Sequence, residues 1–176
     1  MRRPQTDNHL TATQPGSRVS AYTGRFAPGY LSDVDALRPF ECWLTGRDHA
    51  LLEGHLLRSV DSLLLSRLIR AKLADARLVL SDDVESDIAT GNSHIVYSVD
   101  GKPDESRVLV HWDHEAMVEY SLPVNTLLGV TLLGMKAGQR APLMRADGTV
   151  GEVFLRQIAF QPEAARRPAS GTVMAR

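Results

Sequence analysis

The chain has 176 residues, 43% of them hydrophobic, and a formal net charge of -1, enough for one ordinary domain or two small ones. No run approaches the ~18 uncharged apolar residues of a membrane span, residues 1–10 lack the apolar centre of a secretory signal, and the near-neutral balance argues against a dedicated duplex-binding surface. A cytoplasmic protein is expected, and its single cysteine, Cys42, excludes an intrachain disulfide and a cysteine-based zinc site closed by one chain.

Residues 1–44 are rich in proline, glycine and polar side chains and carry no sustained apolar period, which predicts a disordered or loosely docked tail. Its aromatics, Tyr22, Phe26, Tyr30, Phe40 and Trp43, either pack transiently or dock on the body or on a partner. A helix is expected to start at Thr45, a side chain that can cap it, with Asp48 near the positive helix end. Leu51, Leu52, Leu56 and Val60 share one face of this helix. After the connector Ser59 to Ser62, a second helix repeats the pattern with Leu64, Leu65, Leu68, Ile69, Leu73 and Ala76, leaving Arg67, Arg70, Lys72 and Arg77 on the wetter side. Residues 45–80 thus predict a short antiparallel helical hairpin, a coiled coil about 21 Å long in each arm.

Residues 81–92 hold Asp82, Asp83, Glu85 and Asp87 without the glycine and terminal glutamate of a calcium loop, and read as a solvated acidic linker. The period then changes to two. His94 to Val99 reads as a strand, Asp100-Gly101 as a hairpin turn, and Val108, Val110 and Trp112 alternate on the returning strand. A third strand carries Val118, Tyr120 and Leu122. In Leu122 to Gln139, Pro123 ends that strand, Asn125 or Thr126 caps a short helix, Leu127, Leu128, Thr131 and Leu132 form its buried stripe, and Gly134 supplies the left-handed residue that stops it. Arg140 to Met144, a turn at Asp147-Gly148, and a last strand with Phe154, Ile158 and Phe160 on one face complete residues 93–162. The fold class is α+β: a helical hairpin followed by an antiparallel sheet with one short helix. Residues 163–176 should fray.

Few constellations offer chemistry. His111 and His114 would face opposite sides of a strand, so with Asp113 they read as ordinary surface residues and no metal or cofactor is expected. No glycine-flanked serine sits on a strand-to-helix turn, and Gly129 and Gly134 are not followed by the lysine pair of a phosphate loop, so neither a hydrolase triad nor a nucleotide loop has support. Tyr97, Trp112, Tyr120, Phe154 and Phe160 are the sheet region's aromatics, several of them needed for a core, which leaves little for a prolyl isomerase pocket. The chain is expected not to be an enzyme.

The order of parts and the residues at their joints resemble the GreA/GreB transcription elongation factors, whose C-terminal domain carries G-x-A-L-L-G-x-x-x-G-D. Gly129, Leu132, Leu133, Gly134 and Gly138 match, while Thr131 replaces the alanine and Gln139 the aspartate. The closing run Phe160-Gln161-Pro162-Glu163-Ala164-Ala165 and the short hairpin are similar to the Rnk branch of that family, the regulators of nucleoside diphosphate kinase. The resemblance spans about Arg47 to Ala165. It implies a sheet domain like that of the FK506-binding proteins, and docking beside the secondary channel of bacterial RNA polymerase core in competition with Gre-type factors. Met135, Lys136 and Gln139 would dock, and the hairpin tip, Ser59, Asp61 and Ser62, would point inward. In GreA-like factors a pair of tip carboxylates helps hold a second magnesium ion for transcript cleavage; here the connector has only Asp61, so no cleavage stimulation is expected. An alternative partner is nucleoside diphosphate kinase or another enzyme. DNA is expected only indirectly, through polymerase, since no recognition helix is evident, and the hairpin's stripes, satisfied within one chain, suggest a monomer.

Overall fold

The computed structural model describes residues 41–59, 62–111 and 120–167. The tail aromatics before residue 41, and Val60, Asp61, Trp112, Asp113, His114 and Val118, lie outside the described residues. Strand β1 (Trp43–Thr45) leads into α1 (Gly46–Arg58), which turns back through α2 (Leu63–Asp75) into β2 (Arg77–Val79). Thr45 caps α1 as expected, its hydroxyl oxygen accepting the Asp48 N–H. Leu52, Leu65 and Ile69 are buried, and Leu56, Leu68 and Leu73 pack partly buried against the same core. At the base of the hairpin β1 and β2 pair in parallel, Leu44 opposite Leu78. Three residues are too few to show a strand period, so this pair left no trace in the sequence pattern.

Five further strands, β3 (His94–Val99), β4 (Glu105–Val110), β5 (Ser121–Pro123), β6 (Arg140–Met144) and β7 (Val150–Phe160), form one sheet in the order β5-β4-β3-β7-β6. The sheet is mixed, not antiparallel as expected, because β5 runs parallel to β4. A hairpin turn returns a strand antiparallel at once; the ten residues 111–120 between these two let the chain come back in the same direction. Tyr120, expected on the third strand with Leu122, precedes β5 and is 68% exposed. The tight turn after β3 is where it was expected, with Asp100 and Gly101 both at positive φ.

Two face assignments change. In β4 the fully buried residue is Leu109, with Val108 and Val110 only half-buried. In β7 the register against β3 shifts between Leu155 and Gln157, so Val153, Leu155 and Ile158 turn toward the core. Phe154 lies between Arg140 and Arg156 on the other side, their guanidinium carbons 4.4 and 5.0 Å from its ring, and Phe160 is 51% exposed. A bulge breaks the period of two, and side chains beyond it change sides.

Helix α3 (Leu127–Leu132) is capped by Thr126, whose hydroxyl accepts the Gly129 N–H at 3.0 Å. It is enclosed on more than a stripe, since Gly129, Val130, Thr131 and Leu132 are all buried. Gly134 ends it at φ +78, donating its N–H to Ala89 O and accepting from Trp43 N–H. The loop 134–139 thereby ties β1 and the acidic segment to α3.

The segment expected to be a solvated linker is anchored: Val84, Ile88 and Ala89 are buried, and the Lys136 ammonium bridges Glu85 and Asp87. The neutralising charge comes from fifty residues away, which no local pattern reveals. The closing segment also holds further than expected. Helix α4 (Pro162–Arg166) is pinned by Gln161, whose amide donates to Glu85 O and Ile88 O, and by Glu163, which accepts the Thr90 hydroxyl at 2.6 Å. One continuous core runs from Leu44, Leu52 and Ile69 of the hairpin to Ile95, Tyr97, Leu109, Leu132 and Leu155 of the sheet.

Candidate functional site

Two buried polar contacts tie the hairpin to the rest of the fold, one to the end of α3 and one to the residue that follows β4. The first is Lys72. Its place on α2 was expected to be wet, but it is 5% exposed and its ammonium donates to Val130 O, Thr131 O at 2.9 Å and Leu133 O. A helix leaves its last carbonyls without intrahelical partners. Here Met135 N–H takes Leu132 O, and the other three carbonyls at the end of α3 converge on Lys72. The ammonium also meets the negative end of the helix dipole. Burial pushes the Lys72 pKa down to about 8, with nearby Cys42 acting the other way. Burial likewise pushes the Cys42 thiol up, partly offset by Lys72.

The second contact is Asp48. It is 3% exposed; one oxygen accepts His111 Nε2 at 2.9 Å and Gly91 N–H at 3.2 Å, the other accepts the Thr45 hydroxyl at 2.9 Å. His111, expected at the surface, is 5% exposed and stacks on His55 with 5.6 Å between ring centroids. A Cβ on Gly91 would lie 2.6 Å from Asp48 Oδ1 and 2.8 Å from the His111 ring, so only glycine lets the loop close over this pair. Asp48→Asn keeps the shape and removes the charge from three donors. It should lower the unfolding free energy by about 2 kcal/mol in urea denaturation.

Of the docking residues expected from the sequence, Met135 is 1% exposed and belongs to the core, so it presents no side chain to a partner. The methionine directly after the helix-stopping glycine turns inward and joins the core cluster. Lys136 and Gln139 are brought together: Gln139 Oε1 accepts the Lys136 N–H at 2.8 Å, its amide donates to Glu41 O, and the Lys136 ammonium stands 5.9 Å from the Trp43 ring centre. Hydrogen bonding to Glu85 holds the Lys136 pKa above its ordinary value and the Glu85 carboxyl below its own. On this surface the Lys136 ammonium is flanked by two carboxylates, Glu85 and Asp87.

At the tip, Ser59 and Ser62 build the turn. The Ser59 hydroxyl donates to His55 O at 2.7 Å, Ser62 Oγ accepts the Leu65 N–H, and the Ser66 hydroxyl closes onto Ser59 O at 2.7 Å. Asp61 lies outside the described residues. Among the described residues beside the tip, two apolar side chains stand open, Leu57 at 79% and Leu63 at 67% exposed. Both fall off the periodic stripes, which is the signal by which the sequence could have identified them. Among the described residues no three His, Cys, Asp or Glu side chains converge as a metal-binding group, and no helix is long and apolar enough to cross a membrane.

No family model matches the chain, and no curated protein matches it. Its fold is similar to that of a solved prokaryotic transcription elongation factor GreA/GreB from Nitrosomonas europaea, 20% identical, with a TM-score of 0.53 over 69% of this chain and 99% of that one. GreA factor homolog 1 (Gfh1) of Thermus thermophilus matches at 18% identity and a TM-score of 0.35, over 69% of this chain and 100% of that one. The likeness to the Nitrosomonas factor is one of fold.

Proposed function

We propose that the chain is a non-enzymatic transcription regulator of the Rnk kind, which binds bacterial RNA polymerase core near the secondary channel and competes with Gre-type factors without stimulating transcript cleavage. The observation that carries this reading is the fold likeness to a GreA/GreB elongation factor across 99% of that factor's length. The glycine motif around α3 and the short hairpin, 13 residues in each arm, support it. The sheet unit, of FK506-binding-protein type in this reading, docks through the surface of Lys136 and Gln139, and the tip of Ser59, Asp61 and Ser62 faces the channel. With Asp61 the only carboxylate in the connector, a second magnesium ion has no pair of ligands there.

The test is retention on immobilised core polymerase. Wild type should be held with a micromolar constant, and Lys136→Glu, which turns the centre of the docking surface acidic, should bind about tenfold more weakly while keeping its circular dichroism. No retention of the wild type removes the reading and makes nucleoside diphosphate kinase the next partner to try.

A further inference from the structure

The acidic segment before β3 is held in place without the help of its own charges. Gln161 donates to Glu85 O at 2.8 Å and to Ile88 O at 2.7 Å, Arg167 donates to Val84 O, Asp87 O accepts the Ala137 N–H at 2.8 Å, and Val84 and Ile88 are buried. On the segment's side each of these contacts uses backbone or an apolar side chain, so the Glu85 and Asp87 carboxylates are left to Lys136. An exposed ion pair of this kind adds little to folding. What it sets is the charge that Lys136 shows to a partner.

The Lys136 ammonium meets Glu85 and, at 3.5 Å, Asp87, so carboxylates outnumber the cation, yet the lysine side chain stays 37% exposed. We propose that Glu85 and Asp87 are an internal brake on this docking surface: in the free chain they occupy the ammonium that a carboxylate of the polymerase takes in the complex. This rests on docking through Lys136 and adds the group that the partner brings to it. An ammonium has three N–H donors and no acceptor, so a carboxylate is its natural partner. One arriving at the open side of Lys136 shares those donors with two like charges already in place, and is repelled by both. The other side chains around the ammonium do not oppose it. Gln139 and Trp43 are neutral, and the Glu41 carboxylate is turned to Arg77. Neutralising Glu85 and Asp87 therefore leaves the backbone where it is and the ammonium uncompensated. Asp82 and Asp83, on the same segment, are exposed and make no ion pair with Lys136, which gives a control of equal charge.

Retention of the full chain on immobilised RNA polymerase core, in low salt, is the test. Glu85→Gln with Asp87→Asn should bind about tenfold more tightly than wild type, with unchanged circular dichroism, and lose that gain in high salt. Asp82→Asn with Asp83→Asn removes as much charge and should gain under about twofold. In a Lys136→Gln chain the Glu85 and Asp87 substitutions should gain equally little, since the ammonium they release is gone. No gain over wild type, or the same gain from either control, overturns the proposal and leaves docking itself standing. Absence of binding by wild type and by every variant removes the docking reading and, with it, this role for the two carboxylates.

Discussion

Lys72→Met lowers the unfolding free energy by about 3 kcal/mol at neutral pH, the expected cost of leaving buried carbonyls without a donor at about 1–3 kcal/mol each, less what the core regains by no longer holding a charge. Methionine fills much the same volume, so the loss reports the ammonium. Val130, Thr131 and Leu133 lose their shared donor together. The end of α3 then comes away from α2, and the hairpin loses one of its two polar anchors on the sheet. The pH dependence separates this from a packing defect. The Lys72 pKa falls from 10.5 to about 8 on folding, so between those values the unfolded chain holds more protons than the folded one. Stability must therefore rise with pH across that window, by roughly 3 kcal/mol in total. The rise should be present in the lysine protein and absent in the methionine variant. Urea denaturation from neutral to alkaline pH, with Cys42→Ala in both proteins because that thiol interacts with Lys72, gives the comparison.

Gly129→Ala costs at least about 3 kcal/mol and is the most damaging single methyl expected among the described glycines. A Cβ there would stand 2.1 Å from Pro123 O, 2.9 Å from Pro123 C and 2.9 Å from Val124 Cα. All three are backbone atoms, so no side chain can swing aside to make room. Either α3 moves off the β5 connection or the cap at Thr126 breaks. The same helix offers a control in Thr131→Ser, which keeps the hydroxyl that donates to Leu127 O at 2.7 Å and should cost under about 1.5 kcal/mol. Thermal denaturation of the pair checks both, and equal losses would mean that the tight approach at Gly129 carries no special weight.

The elements legible in the sequence are those set by short-range chemistry. Thr45 and Thr126 cap helices because a hydroxyl three residues ahead of a free N–H is all that a cap needs, and Asp100-Gly101 and Gly134 take positive φ where a turn and a helix stop require it. Lys72 was half legible: it follows Leu65 and Ile69 at spacings of seven and three, on the buried stripe, but a lysine there is read as wet until three carbonyls from elsewhere are known to meet it. His111 lies two residues beyond Leu109 and so shares its inward face, yet its partner Asp48 is 63 residues away. The parallel pairs β1–β2 and β4–β5 and the bulge in β7 depend on how distant segments dock, and leave the local pattern unchanged. Of the residues proposed to dock, Lys136 and Gln139 are legible as neighbours, while Met135 looks equally available until the loop turns it inward.

The measurement that tests the central claim most directly is competition for RNA polymerase core between this chain and a labelled cleavage factor of the Gre type, with cleavage of a backtracked transcript read in the same reactions. The account predicts displacement of the label with a micromolar or tighter constant and no added cleavage. Retention of the label at saturating chain, or cleavage stimulated by the chain itself, would contradict it.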